Sequence, residues 1–172
     1  MQRDIHARDG QLRAISVFEK RPEQARVTHH GQAEVCEGLT CTYAQDGHSV
    51  TIDMPAAIGG DDQGPSPGYF GRAALCGCLA IGIKMAATRE GVRLERVRVE
   101  IAQEFDNRGV LAMPGARSAP GDTRISIEIV SPEEEARIRE MVERAMRHDP
   151  WYLAFRDAQS IATDVSIAQE VA

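Results

Sequence analysis

Basic charge is in short supply. The 172 residues carry 20 Lys and Arg against 26 Asp and Glu, a net charge of -6. A nucleic-acid surface needs clustered cations to neutralise phosphates, so this balance argues against that partner and suits a neutral or small one. Long apolar runs are missing as well: none approaches the roughly 20 residues of a membrane-spanning helix. Met1-Gln2-Arg3-Asp4-Ile5-His6 lacks the apolar core of a secretory signal. Cysteine is sparse, with four in the chain. In a sequence of this length that reads as free thiols rather than a disulfide framework. The expectation is a cytoplasmic protein without a membrane or nucleic-acid partner. Internal repeats and low-complexity segments are absent, and the length fits one domain with its own core.

What is present is a sharply punctuated order of elements. Residues 1 to 20 give a helical hint at Leu12, Ile15 and Phe18, an arm or frayed end. Val27 to Tyr43 and Ser49 to Met54 read as strands joined through Asp46-Gly47. A loop rich in Gly, Pro and Asp covers residues 55 to 65. Ser66-Pro67 then predicts a helix start, Ser as cap and Pro at the first position, with Gly91 as the stop after about Arg89. Along that helix Gly71, Ala74, Cys78 and Gly82 share one face, a stripe of small residues that lets a neighbour approach closely.

Leu94 to Phe105 and Arg124 to Val130 alternate in period two. Val97, Val99, Ile101, Ile125, Ile127 and Ile129 are predicted to face inward. Ser131-Pro132-Glu133-Glu134 predicts a capping box opening a second helix, which Asp149-Pro150 ends. A last strand is predicted over Ile161 to Ile167. Regular βα alternation is missing, so the class is α+β with antiparallel sheets flanking two helices.

Three stretches carry a resemblance. They are Gly59-Gly60-Asp61-Asp62-Gln63-Gly64-Pro65-Ser66-Pro67, Ala73-Ala74-Leu75-Cys76-Gly77-Cys78-Leu79-Ala80, and Asp106-Asn107-Arg108-Gly109 after the first long strand. On these the chain resembles the OsmC/Ohr family of osmotically induced and organic-hydroperoxide-resistance proteins, as a divergent member. The resemblance covers roughly residues 25 to 170, leaving 1–24 as an N-terminal arm or helix and 25–172 as the OsmC-like domain. It implies antiparallel sheets wrapped around two central long helices in an intertwined homodimer. It also implies reduction of organic hydroperoxides by a thiolate, with an apolar small-molecule substrate, a lipoyl-type dithiol as reductant and no bound cofactor.

Residue by residue, the resemblance assigns Cys78 as the peroxidatic cysteine. Active members place a carboxylate directly after the Ser-Pro pair, where this chain has Gly68. They place a resolving cysteine before a proline after the second long helix, where it has Asp149. Arg26 is the candidate for the thiolate-stabilising arginine of the N-terminal strand region. Arg72 is a second accessory candidate, on the face of Cys76 and about 120° from Cys78. A substitute resolving role for Cys76 is disfavoured, because residues two apart on a helix point some 200° from each other.

Each residue also has a plainer reading. Cys78 is a small side chain suited to a close helix contact. Cys36 and Cys41, five apart on one predicted strand, fall on opposite faces. The histidines make no metal spacing, so no metal is expected. Two functions remain open at this point: a thiol peroxidase acting through Cys78, and a non-catalytic module of the same fold that binds a small hydrophobic ligand or a partner protein.

Overall fold

The computed structural model describes residues 2–168. The N-terminal segment is a helix, α1 (Gln2–Lys20), with none of its residues buried. It lies on the long helix α2 (Pro67–Glu90) through polar tethers. Gln11 Nε2 donates to Thr88 Oγ1 at 3.0 Å, Lys84 Nζ meets Asp4 Oδ2 at 3.2 Å, and Arg89 donates to Gln11.

A three-stranded antiparallel arm follows: β1 (Gly31–Val35), β2 (Cys41–Gln45) and β3 (His48–Ile52), in that order. Asp46-Gly47 makes the tight turn between β2 and β3, with φ of 50° and 78°. Two consecutive positive φ angles are the hairpin geometry that matches strand twist. The single strand expected from Val27 to Tyr43 is corrected to two. The chain reverses between Val35 and Cys41, which face each other across the ladder, with Gly38 at φ 70° inside the turn. Cys36 therefore lies outside the ladder and not on the opposite face of one strand from Cys41.

Asp53, at the end of the arm, is 1% exposed. Its carboxylate accepts from Thr40 Oγ1 (3.0 Å), Met54 N (2.7 Å), Asp61 N (3.2 Å) and Gln63 N (3.1 Å). Those bonds tie the Gly- and Pro-rich loop to the arm and fix where α2 begins. The hydrogen bond from Gln63 leads in holding the Asp53 carboxyl below its usual range.

α2 starts at Pro67, whose missing N–H costs nothing in the first turn. Ser66 is extended at the N-cap, but its side chain makes no capping bond, so the serine half of the expected signal is corrected. Gly91 ends the helix at φ 66°, and Val92 N bonds back to Ala87 O at 2.9 Å. Leu75, Leu79, Ile83, Ala86 and Ala87 are buried along α2.

Over this ridge lies a second antiparallel sheet, β4 (Arg96–Gln103) with β5 (Thr123–Val130). Val97, Val99 and Ile101 are half-buried and alternate with exposed neighbours, as do Ile125, Ile127 and Ile129. The amphipathic helix α4 (Glu135–Arg147) closes the core with the fully buried Met141. By length and composition α2 could cross a bilayer. This differs from the expectation that no run approaches that length, because the Gly- and Ala-rich interior has only Arg72 and Lys84 before its last turn. Its apolar ridge serves the core instead.

The connection between β4 and β5 holds a single turn, α3 (Asn107–Val110), capped by Asp106. The capping box at Ser131 is displaced. Ser131 Oγ accepts from Glu133 N (3.1 Å) and donates to Arg93 O (2.5 Å), and the helix begins only at Glu135. The Asp149-Pro150 stop opens a further helix, α5 (Pro150–Arg156), with the Asp149 side chain as its cap. The last strand is not formed. Residues 157–168 run without regular structure, with Ile161 84%, Val165 84% and Ile167 86% exposed. A strand needs a neighbour's backbone to pair with, and no described strand of this chain lies beside them.

Candidate functional site

The small-residue stripe on α2 receives the chain's own C-terminal half. A Cβ at Gly71 would touch Phe155 of α5 at 3.7 Å, and one at Gly82 would meet Asp149 Oδ2 at 3.2 Å. Cys78 lies between these points. Its thiol is half-buried. Burial pushes it up from the usual cysteine range, and the Asp149 carboxylate beside it pushes further. The nearby Trp151 backbone N–H opposes both. Asp149 itself is 3% exposed. One oxygen caps α5 through Tyr152 N at 2.8 Å, and Oδ2 has no hydrogen-bond partner among the described residues.

Two open spaces lie along α2, one of them lined by Cys78. Ala74, one turn before Cys78, lines a cavity of about 550 Å³ between α2 and the arm, with Tyr43, Val50, Ile52 and Phe70 and the polar hairpin end from Gln45 to Ser49; Cys78 is not in its lining. Cys78, Ile81, Gly82 and Met85 line a groove of about 500 Å³ shared with the end of α4.

The accessory candidates lie elsewhere. Arg72 is half-buried on α2 with its guanidinium 5.8 Å from the Phe105 ring centroid. A Cβ at Gly68 would come within 3.0 Å of Arg72 Nη1, so position 68 and Arg72 are neighbours, and glycine offers that cation no carboxylate. Arg26 is exposed just after the 3₁₀ turn Pro22–Ala25, outside the lining of either space. Cys76 is half-buried and pushed up by burial. Asp106 accepts from Arg108 N (3.1 Å) and holds the Arg108 side chain in a fork, which draws the Asp106 carboxyl down and the arginine up. Among the described residues no group of three or more His, Cys, Asp and Glu is placed to hold a metal.

Two features escaped the sequence reading. Asp53 carried only a weak signal, an aspartate at a strand end before a turn-rich loop. The contact of Asp149 with Cys78, 71 positions apart, carried none.

The OsmC-like protein family matches residues 60–164, the stretch from the loop before α2 to the segment after α5. The chain belongs to the OsmC-like family. Solved OsmC-like structures share its fold. An OsmC-like protein from Mycoplasma pneumoniae is 15% identical with a TM-score of 0.64, over 76% of this chain and 88% of that one. A Legionella pneumophila protein described as an organic hydroperoxide resistance protein OsmC is 19% identical with a TM-score of 0.57, over 76% and 90%. An organic hydroperoxide resistance protein from Elizabethkingia anophelis is 14% identical with a TM-score of 0.53, over 76% and 89%. No curated protein matches the chain. This OsmC-like chain thus has the α+β fold its motifs imply.

Proposed function

We propose that this OsmC-like protein is a cytoplasmic homodimer of peroxide-stress chemistry in which Cys78 reduces organic hydroperoxides. The observation that carries the reading is the half-buried Cys78 thiol lining a groove along α2 together with Ile81, Met85 and Ala145. The sulfur attacks the hydroperoxide oxygen, an S–O bond forms and the O–O bond breaks. The organic group leaves as an alcohol with the thiol proton, and Cys78 becomes a sulfenic acid. A small dithiol then reduces the sulfenic acid, giving water and its own disulfide. With Asp149 at the place of a resolving cysteine, that reductant acts directly on the oxidised Cys78.

Surface area supports the dimer. A compact monomer of 18.8 kDa exposes about 8,300 Å². This chain exposes 13419 Å². The excess of about 5,100 Å² is more than one protomer's share of an obligate interface, and the exposed α1 and residues 157–168 contribute to it together with the uncovered arm.

One observation favours a second reading, a non-catalytic module of the same fold that holds a small hydrophobic ligand. The thiol is pushed up, away from the thiolate that a peroxidase needs. Consumption of cumene hydroperoxide with dihydrolipoamide, run beside Cys78→Ser, separates the two. Turnover abolished by the substitution supports the peroxidase. Turnover that survives it rules Cys78 out, and no reaction in either protein supports the binding module.

A further inference from the structure

Cys78 is bordered by one buried carboxyl, Asp149, of which one oxygen has no partner among the described residues. Asp149 Oδ1 is engaged in capping α5, while Oδ2 is buried without a partner. Its place is set by α2. Gly82, one turn beyond Cys78, leaves the notch that Oδ2 fills, since a Cβ there would sit 3.2 Å from it. Both residues line one end of the groove that runs along α2 to Arg89.

The other charges of that groove act weakly on the thiol. Arg89 follows Cys78 by eleven residues, about 16 Å along the helix axis. That exceeds the screening length of about 8 Å at physiological salt. Arg144 of α4 is paired with Glu90 at 2.7 Å, so the two largely cancel. His148 is the remaining titratable group in the groove. From α5 comes the Trp151 N–H, and α1 contributes the neutral Gln11 at Arg89.

We propose that Asp149 is the specificity-determining residue at Cys78: its carboxylate admits cationic or neutral reactants to the thiol in preference to anionic ones. The proposal takes from the proposed function only that Cys78 is the reacting thiol.

The test uses the full chain with Cys36, Cys41 and Cys76 replaced by serine. Cys78 is titrated with the cationic ethylammonium and the anionic ethylsulfonate methanethiosulfonates, and with neutral iodoacetamide from about pH 8 to 10.5, above the histidine range. The cationic reagent should outpace the anionic one by about tenfold more than it does on a small free thiol, as one nearby charge in a partly screened site requires. Asp149→Asn keeps an acceptor for the α5 cap, so the fold is retained. It should erase that preference and shift the alkylation profile down by about one pH unit. At pH 8 iodoacetamide should then react about threefold faster, because a tenfold gain in thiolate is partly offset by its lower nucleophilicity. Equal reagent ratios in the two proteins, or an unmoved pH profile, would overturn the proposal. If Asp149→Asn does not fold, the unsubstituted Asp149 protein decides alone: no charge preference ends it. Peroxide is not consumed in this assay, so its outcome is independent of whether the peroxidase reading survives.

Discussion

The two sheets of this protein are built from similar strands and meet opposite fates. β4 and β5 lie on α2 and α4, and each presents one half-buried and one exposed face. The arm of β1 to β3 is hydrogen-bonded just as completely, yet β1 is exposed along its whole length and β3 is half-buried only at Ile52. Between arm and α2 there is a cavity where a core would be expected. Backbone pairing therefore does not mark where a sheet is finished. A sheet of three strands is stable when one face is covered, and in the proposed dimer a second copy would supply that cover for the arm.

That contrast can be broken at several points. The largest effect belongs to the packed half. Ile83 is 1% exposed in the core cluster, so Ile83→Ala should cost about 2–5 kcal/mol, read as a lower urea midpoint with an unchanged slope. A loss near zero would mean that the packed sheet is not the stable half. In the arm, Val50 is 38% exposed and lines the cavity. Val50→Asp should leave the circular dichroism of the chain intact but weaken self-association at least tenfold, about 1.4 kcal/mol. Sedimentation unchanged by this substitution would leave the arm a free surface.

Asp53 joins the two halves, and its contribution is readable by pH. Its carboxyl is held below its usual value, so the folded form binds fewer protons than the unfolded one there. The stabilisation is fully present above the unfolded value of 3.8 and is lost as pH falls through the lower folded value. Asp53→Asn should flatten the acid limb of the stability curve below pH 3.8, and an unaltered acid limb would count against the role given to it. The smallest effect is a control outside both sheets. The Glu135–Arg139 pair on α4 is exposed on both sides, so Glu135→Gln should change stability by less than about 0.5 kcal/mol. A larger loss would mean that this face is covered in the assembled protein.

Much of the fold was legible because its signals are local. Pro67 and Gly91 mark the ends of α2, and the alternation of Val97, Val99 and Ile101 sets the inner face of β4 without reference to anything distant. The readings that failed depend on what lies across the chain. Ser131 looks like a helix cap in isolation, but Arg93, 38 positions earlier, takes its hydroxyl. Ile161, Val165 and Ile167 have strand composition and no strand to pair with among the described residues. The site divides in the same way. Cys78 and its stripe were visible from helical spacing and family motif. Its contact with Asp149 arises only when α5 docks on α2, and no periodicity encodes that.

The arm has one more consequence, which concerns how the protein comes to exist. If each arm finds its cover on another copy, the cavity between arm and α2 is completed by an encounter rather than by folding alone. Its formation is then second order in chain concentration. A freshly synthesised chain, dilute and alone, would hold a folded α2 core and an uncovered arm. A cell making two such relatives at once would have to prevent their arms from exchanging, because each mixed pair would carry cavities assembled from unlike halves.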